Sequence, residues 1–241
     1  MKSLAGLLLA IATAATLSAQ TPASQLVTVR HASGQGVAPV YEGFDVNADG
    51  SYNMWFGYMN RNYEEAPDVA IGPNNTFEPG GDRGQPTHFV PRRHKDVFSV
   101  RVPNDFGRAA MLVWTLTVNG QTNRVAGSLN PVWQIDRLRT TRGGNSEQIS
   151  SNLPPTVSFK ADADALPAPG TTTLNISATD DGLPKRRGQT VGMTVLWAKY
   201  RGPGDVSFTD TQSRVAEGRA KTVARFSEPG EYVLQAVVDD G

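Results

Sequence analysis

Residues 111–127 read MLVWTLTVNGQTNRVAG, and they decide the fold class. Leu112, Trp114, Leu116 and Val118 alternate with Val113, Thr115 and Thr117, the period of a strand that buries one face. Asn119 and Gly120 follow, a pair that tolerates positive φ at both centres of a type I′ turn, and the chain then returns toward Gly127. A hairpin is expected there. A second joins residues 40–46 to residues 51–59 through Asn47, Ala48, Asp49 and Gly50, with Tyr52, Met54, Phe56 and Tyr58 on one face of the return strand. Residues 97–102 give another strand, with Phe98, Val100 and Val102 inward and Ser99 and Arg101 outward. Residues 60–93, dense in Pro, Gly and Asn, read as long loops.

Working outward, the same alternation runs through the rest of the chain. No stretch after residue 20 keeps a helical apolar period for three turns, so the expected class is all-β. A break falls at residues 143–155, GGNSEQISSNLPP, whose glycine, serine, asparagine and paired prolines mark a linker. The expectation is two tandem β-sandwich domains, residues 20–142 and 156–241. In the second, strands are expected at residues 156–161, 172–179, 193–200, 206–209, 221–226 and 232–238.

The N-terminus places the protein outside the cytoplasm. Lys2 precedes an apolar run over residues 4–17, and Leu17, Ser18 and Ala19 form a small-residue cleavage site, so residues 1–19 read as a signal peptide. The run is about 14 residues, short of the roughly 20 that cross a bilayer as a helix. A secreted or periplasmic location follows, with no membrane insertion after cleavage. The chain has no cysteine, which excludes disulfides and thiolate metal sites. Its 23 basic and 23 acidic residues balance, and loss of Lys2 leaves one acid in excess, so nothing in the net charge calls for a nucleic-acid partner.

Residues 226–234, FSEPGEYVL, with Asp239, Asp240 and Gly241 after them, resemble the penultimate-strand region of PKD-type and related bacterial immunoglobulin-like surface domains. Trp197 stands where those folds place a core aromatic, and Gly202-Pro203-Gly204 follows as a turn. The resemblance covers about residues 153–241. It implies structural roles for Trp197, Pro229, Gly230 and Tyr232, the Tyr232 ring packing inside while its hydroxyl reaches backbone at the corner. The sequence departs from the PKD pattern after the Trp strand, where Ala198-Lys199-Tyr200-Arg201 stands in place of an aromatic-Asp-Phe-Gly-Asp-Gly run. The N-terminal half, with GYMNRN at residues 57–62, PTHF at residues 86–89 and Val102-Pro103, resembles uncharacterised secreted bacterial proteins of unknown activity.

An immunoglobulin-like sandwich needs a last strand beside the one that follows Tyr232, and the sequence stops at Gly241 where the turn into it begins. A truncated domain and a strand donated by another chain both fit. Candidate sites are few. Asp45, Asn47, Asp49 and Gly50 match the opening of a calcium loop, but its twelfth position is Phe56 and a tight hairpin needs the same residues. Asp180-Asp181 and Asp239-Asp240 close two strands and are candidate calcium ligands. His88, His94, Asp82 and Asp96 are the clustered histidine and carboxylate set, on a stretch that reads as a basic exposed loop with Arg92, Arg93 and Lys95. Trp55, Tyr58 and Tyr63, with Trp133, are candidates for stacking on sugar rings.

No serine-nucleophile elbow, zinc-protease helix or phosphate-binding glycine loop occurs. The leading expectation is therefore an exported non-enzymatic structural or interaction protein, its partner an unknown protein or glycan. An extracellular hydrolase with an immunoglobulin-like accessory module and a carbohydrate-binding module are the alternatives.

Overall fold

The computed structural model describes residues 30–135, 153–163, 165–167, 169–182 and 192–240. The expected signal segment, residues 1–19, and residues 143–152 of the expected linker lie outside the described residues. Regular structure within them is strand, apart from one 3-10 turn at Pro131–Trp133.

Six strands build the first sandwich: β1 (Val37–Val46), β2 (Tyr52–Asn60), β3 (Asn75–Glu78), β4 (Arg92–Val102), β5 (Met111–Val118) and β6 (Gln121–Ser128). Antiparallel β1-β2-β4 faces antiparallel β3-β5-β6. The hairpin of residues 111–127 closes on Asn119 at φ 50° and Gly120 at φ 73°, the double positive φ that an Asn-Gly pair adopts cheaply. Its alternation places Leu112, Trp114 and Leu116 at 0% exposure. Trp114 stacks on Phe77 at 5.6 Å and meets Phe98 edge-on at 5.1 Å, so rings from both sheets interlock. Each such pair adds about 1 kcal/mol beyond simple burial.

Residues 60–93 depart from the expectation of loops alone. They contain β3, which pairs with β5, and the first two residues of β4. The sequence hides β3 because its four residues, NTFE, are too few for a period to register. The remaining backbone of this stretch is held by side-chain amides buried at 0% exposure: Asn60, Asn62, Asn75 and Gln85. Asn75 accepts from the Trp114 indole at 3.0 Å and donates to the carbonyls of Val69 and Pro86 at 3.0 and 2.8 Å. Asn60 donates to the carbonyls of Glu65 and Phe89, and Gln85 to those of Asn75 and Gly81. A buried backbone carbonyl without a partner is costly, and these amides replace the missing ladder.

Seven strands build the second sandwich: β7 (Thr156–Ala161), β8 (Gly170–Thr179), β9 (Thr194–Arg201), β10 (Val206–Phe208), β11 (Gln212–Arg214), β12 (Arg219–Phe226) and β13 (Val233–Asp239). The order is β10-β12-β8-β7 in one sheet and β11-β9-β13 in the other. Trp197, Val195, Leu174, Ile176 and Ala224 form the core. β11 is a further strand beyond those expected, three residues long and paired with β9. Tyr232 lies just before β13. Its hydroxyl accepts from the Gly204 amide and donates to the Glu228 carbonyl, both at 3.0 Å, and its ring sits 4.9 Å from Phe226. Gly202, at φ 144°, lets the ring in, because a Cβ there would lie 2.2 Å from it. Among the described residues β13 pairs only with β9, and the core-side residues Val157 and Phe159 of β7 remain 42% and 54% exposed.

Replacing Asn75 by Ala removes three hydrogen bonds and leaves the Trp114 indole and two carbonyls without partners. Urea denaturation is expected to show a loss of about 3 kcal/mol, at roughly 1 kcal/mol per bond. A loss under 1 kcal/mol would contradict the scaffold role.

Candidate functional site

Alternation along β9 puts Val195, Trp197 and Lys199 on one inward row. The first two fill the core, while Lys199, 4% exposed, reaches the end of the sandwich. There its ammonium donates to the Gly204 carbonyl at 2.9 Å and meets Asp68 of the first sandwich at 2.8 Å. The same Asp68 oxygen accepts from His88 Nδ1 at 3.0 Å. One carboxylate thus joins a buried lysine of one sandwich to a histidine of the other.

The next two residues complete the joint. Tyr200 donates its hydroxyl to the Gly84 carbonyl, and its own carbonyl accepts from the Thr87 and His88 amides at 3.0 and 3.3 Å. Arg201 grips Asp82 with two nitrogens at 2.8 and 3.1 Å and donates Nε to the Gln85 carbonyl at 2.8 Å. Such a bidentate fork fixes orientation as well as distance. On the far side of the contact, Gln235 of β13 donates to the Val97 carbonyl of β4 at 3.1 Å.

Between these attachments lies a cleft of about 360 Å³, whose walls include His88, His94, Tyr200, Leu196, Gln235 and Val237. Both histidines expected on an exposed loop therefore line one interdomain cleft. His94 lies on β4, not in a loop, because that strand begins at Arg92, where a positive φ of 75° turns the chain into it. Its ring stacks on Tyr58 at 5.1 Å and its Nε2 donates to the Pro91 carbonyl at 3.1 Å. Burial, with some repulsion from Arg93, holds His94 below the usual imidazole range despite the Pro91 bond, so it is neutral at pH 7. Asp96 is exposed at the bend of β4, and Asp82 is engaged by Arg201.

The aromatic candidates differ in exposure and partners. Tyr58 is 3% exposed, with its hydroxyl accepting from the Val90 amide at 3.0 Å, so it offers no open face to a sugar ring. It lies in phase with the buried Met54 and Phe56, on the face of β2 that packs inward. Trp55 donates its indole N–H to Asp45 at 2.7 Å. Tyr63 is 39% exposed, but Arg92 lies 4.0 Å over its ring and Arg30 lies 5.3 Å from it. Trp133 is 46% exposed beside Tyr41.

The hairpin acids serve the turn. Asp49 accepts from the Ser51 amide and hydroxyl and pairs with Arg101, and Asn47 bonds Ser51 and Asn53. In the second sandwich Asp180 accepts from the Gly182 amide at 2.8 Å and Asp181 from the Leu153 amide at 3.0 Å. Asp239 ends β13 and Asp240 follows it. Among the described residues no three histidine, aspartate or glutamate side chains converge as a metal site would require.

Asp68, Lys199, Tyr200 and Arg201 were not singled out from the sequence, although one signal was present. The in-phase row Val195, Trp197, Lys199 places a lysine where the core is expected, and a buried lysine needs a partner. Comparison with protein-family models, curated proteins and solved structures found no match.

The joint carries a pH dependence of fixed sign. Burial raises the Asp68 pKa, but bonds from His88 and Lys199 outweigh it and hold the carboxyl below its ordinary value. Arg201 and the Gly84 amide do the same for Asp82. A depressed carboxyl stabilises the folded form above its unfolded pKa of about 3.9 and loses that contribution as pH falls through the folded value. Calorimetry should therefore show the two sandwiches melting together at pH 7 and separately near pH 2. Asp68→Asn, which leaves the buried ammonium short of its anion, should cost about 2 kcal/mol at pH 7. Two separate transitions at pH 7 in the unaltered protein would contradict the coupling.

Proposed function

We propose that the protein is an exported, non-enzymatic interaction protein in which two β-sandwiches, the second immunoglobulin-like, are locked at one angle to present their outer surfaces. The observation that carries the reading is the use made of the charged groups beside the cleft. Lys199, Asp68 and His88 satisfy one another, and Arg201 satisfies Asp82. They set orientation, and among the described residues beside the cleft they leave no activated nucleophile poised against a base. Catalytic groups placed by a joint of this kind would have to break it to react.

The immunoglobulin-like assignment is supported by the strand order β10-β12-β8-β7 over β11-β9-β13 and by the Tyr232 hydroxyl bonded to backbone four residues upstream. Export, to the periplasm or beyond, is supported by Lys2, the apolar run of residues 4–17 and the small residues before position 20. Among the described residues no helix is long and apolar enough to cross a membrane.

A hydrolase is the second reading, favoured by one observation: His88 and His94 line the same cleft. The two readings separate on a panel of chromogenic glycosides, esters and peptides. The interaction protein gives the same background rate as its His88→Ala/His94→Ala variant. Turnover that disappears in the double variant would replace this reading with the hydrolase.

A further inference from the structure

The sheet β10-β12-β8-β7 carries a charge pattern that the net balance of the chain conceals. Its four strands contain no aspartate or glutamate. Along β12 the inward residues Ala220, Thr222 and Ala224 are buried, while Arg219, Lys221 and Arg225 point outward and are exposed. On β7 the outward Lys160 is exposed as well. Register aligns these cations with polar neighbours: Lys160, Asn175 and Lys221 form one cross-strand row, and Ser158, Ser177 and Arg219 the next. Arg225 stands beside Thr171 and Ser207.

None of the four cations joins an ion pair among the described residues, whereas Arg93, Arg101, Arg124 and Arg201 of the same chain all do. The acids nearest by sequence lie outside the strands. Asp162 is bonded to Asn175 at 2.9 Å, and Asp210 lies at the rim of a groove that Lys160, Arg214, Arg219 and Lys221 also line. No hydrogen bond or ion pair of the described residues ties this sheet to the first sandwich, which is held instead by Lys199, Tyr200, Arg201 and Gln235.

We infer that this outer face binds an acidic polysaccharide, its carboxylates on Arg219, Lys221, Arg225 and Lys160 and its hydroxyls on the Ser, Thr and Asn side chains between them. The inference rests on the reading of the protein as an interaction module and names the partner's chemistry. Charge complementarity gives the anion: four cations with no ion pair among the described residues stand on strands that carry no carboxylate, with Asp162 and Asp210 only at their margin. The alternating hydroxyls and amides give the sugar. Outward positions of these strands hold no aromatic ring on which a nucleic-acid base would stack, which favours a glycan over a single-stranded nucleic acid. Cations two residues apart on one strand are about 6.8 Å apart, so the face meets a repeating polyanion at several points at once.

Affinity electrophoresis of residues 20–241 in gels containing polygalacturonate, neutral dextran or oligo-deoxythymidine tests this. Retardation is expected in polygalacturonate alone, and it should weaken as salt rises from 50 to 500 mM. Arg219→Glu/Lys221→Glu/Arg225→Glu should weaken it at least tenfold, and Lys160→Glu/Arg225→Glu provides a milder pair should the triple variant not fold. Equal retardation of variant and unaltered protein, no retardation in polygalacturonate, or tighter binding of the oligonucleotide would overturn the inference. Release of reducing ends from the polymer would instead overturn the non-enzymatic reading while leaving the binding face intact.

Discussion

Four buried amides determine where the rest of the molecule can attach. Between β2 and β4 the chain runs some thirty residues with only the four-residue β3 as regular structure. A stretch of that kind ordinarily sits on the surface, because its backbone needs water. Here Asn60, Asn62, Asn75 and Gln85 supply the bonds from inside, and Trp114 anchors Asn75 to the aromatic core. The stretch is bonded from within the fold, and it bears Asp68, Asp82 and His88, so the joint is built on the packing of the first core.

The second sandwich meets that platform with the end of a single strand. Lys199 illustrates the balance of terms. Burying an ammonium costs several kcal/mol unless it is paired and fully bonded. Placed deep in the core, it would oppose the fold; at the end of the inward row, it reaches a carboxylate of the other sandwich. The ion pair therefore bridges the two halves, and separating them would exchange it for hydration of both groups. Arg201 adds direction through its two-point grip on Asp82. The cleft that remains is bounded by apolar residues of β9 and β13 and by two histidines engaged elsewhere.

Much of this architecture was readable from the chain. The turn at Asn119-Gly120 and the inward run of Phe98, Val100 and Val102 followed from period and turn chemistry, and the core place of Trp197 from the resemblance to immunoglobulin-like domains. Loop order was not readable, because Asn75 and Gln85 look like ordinary polar loop residues until the backbone groups around them are known. Tyr58 and Tyr63 show the same limit, since alternation assigns a side but not what covers it. The joint was hidden for a different reason. Asp68 and Lys199 are 131 positions apart and neither belongs to a motif, although the lysine's in-phase position with Trp197 was a signal of burial.

With the second sandwich held by Lys199, Tyr200, Arg201 and Gln235, the outward cations of β7 and β12 stay exposed. The central claim is therefore that the two sandwiches tumble as one body. Residual dipolar couplings measured for backbone amides in β2, β4 and β5 and in β8, β9 and β12 test it most directly. A single alignment tensor should fit both sets at pH 7, with interdomain orientation as in the structure. Two tensors of different magnitude, each fitting only its own sandwich, would mean a flexible tether and would contradict the account.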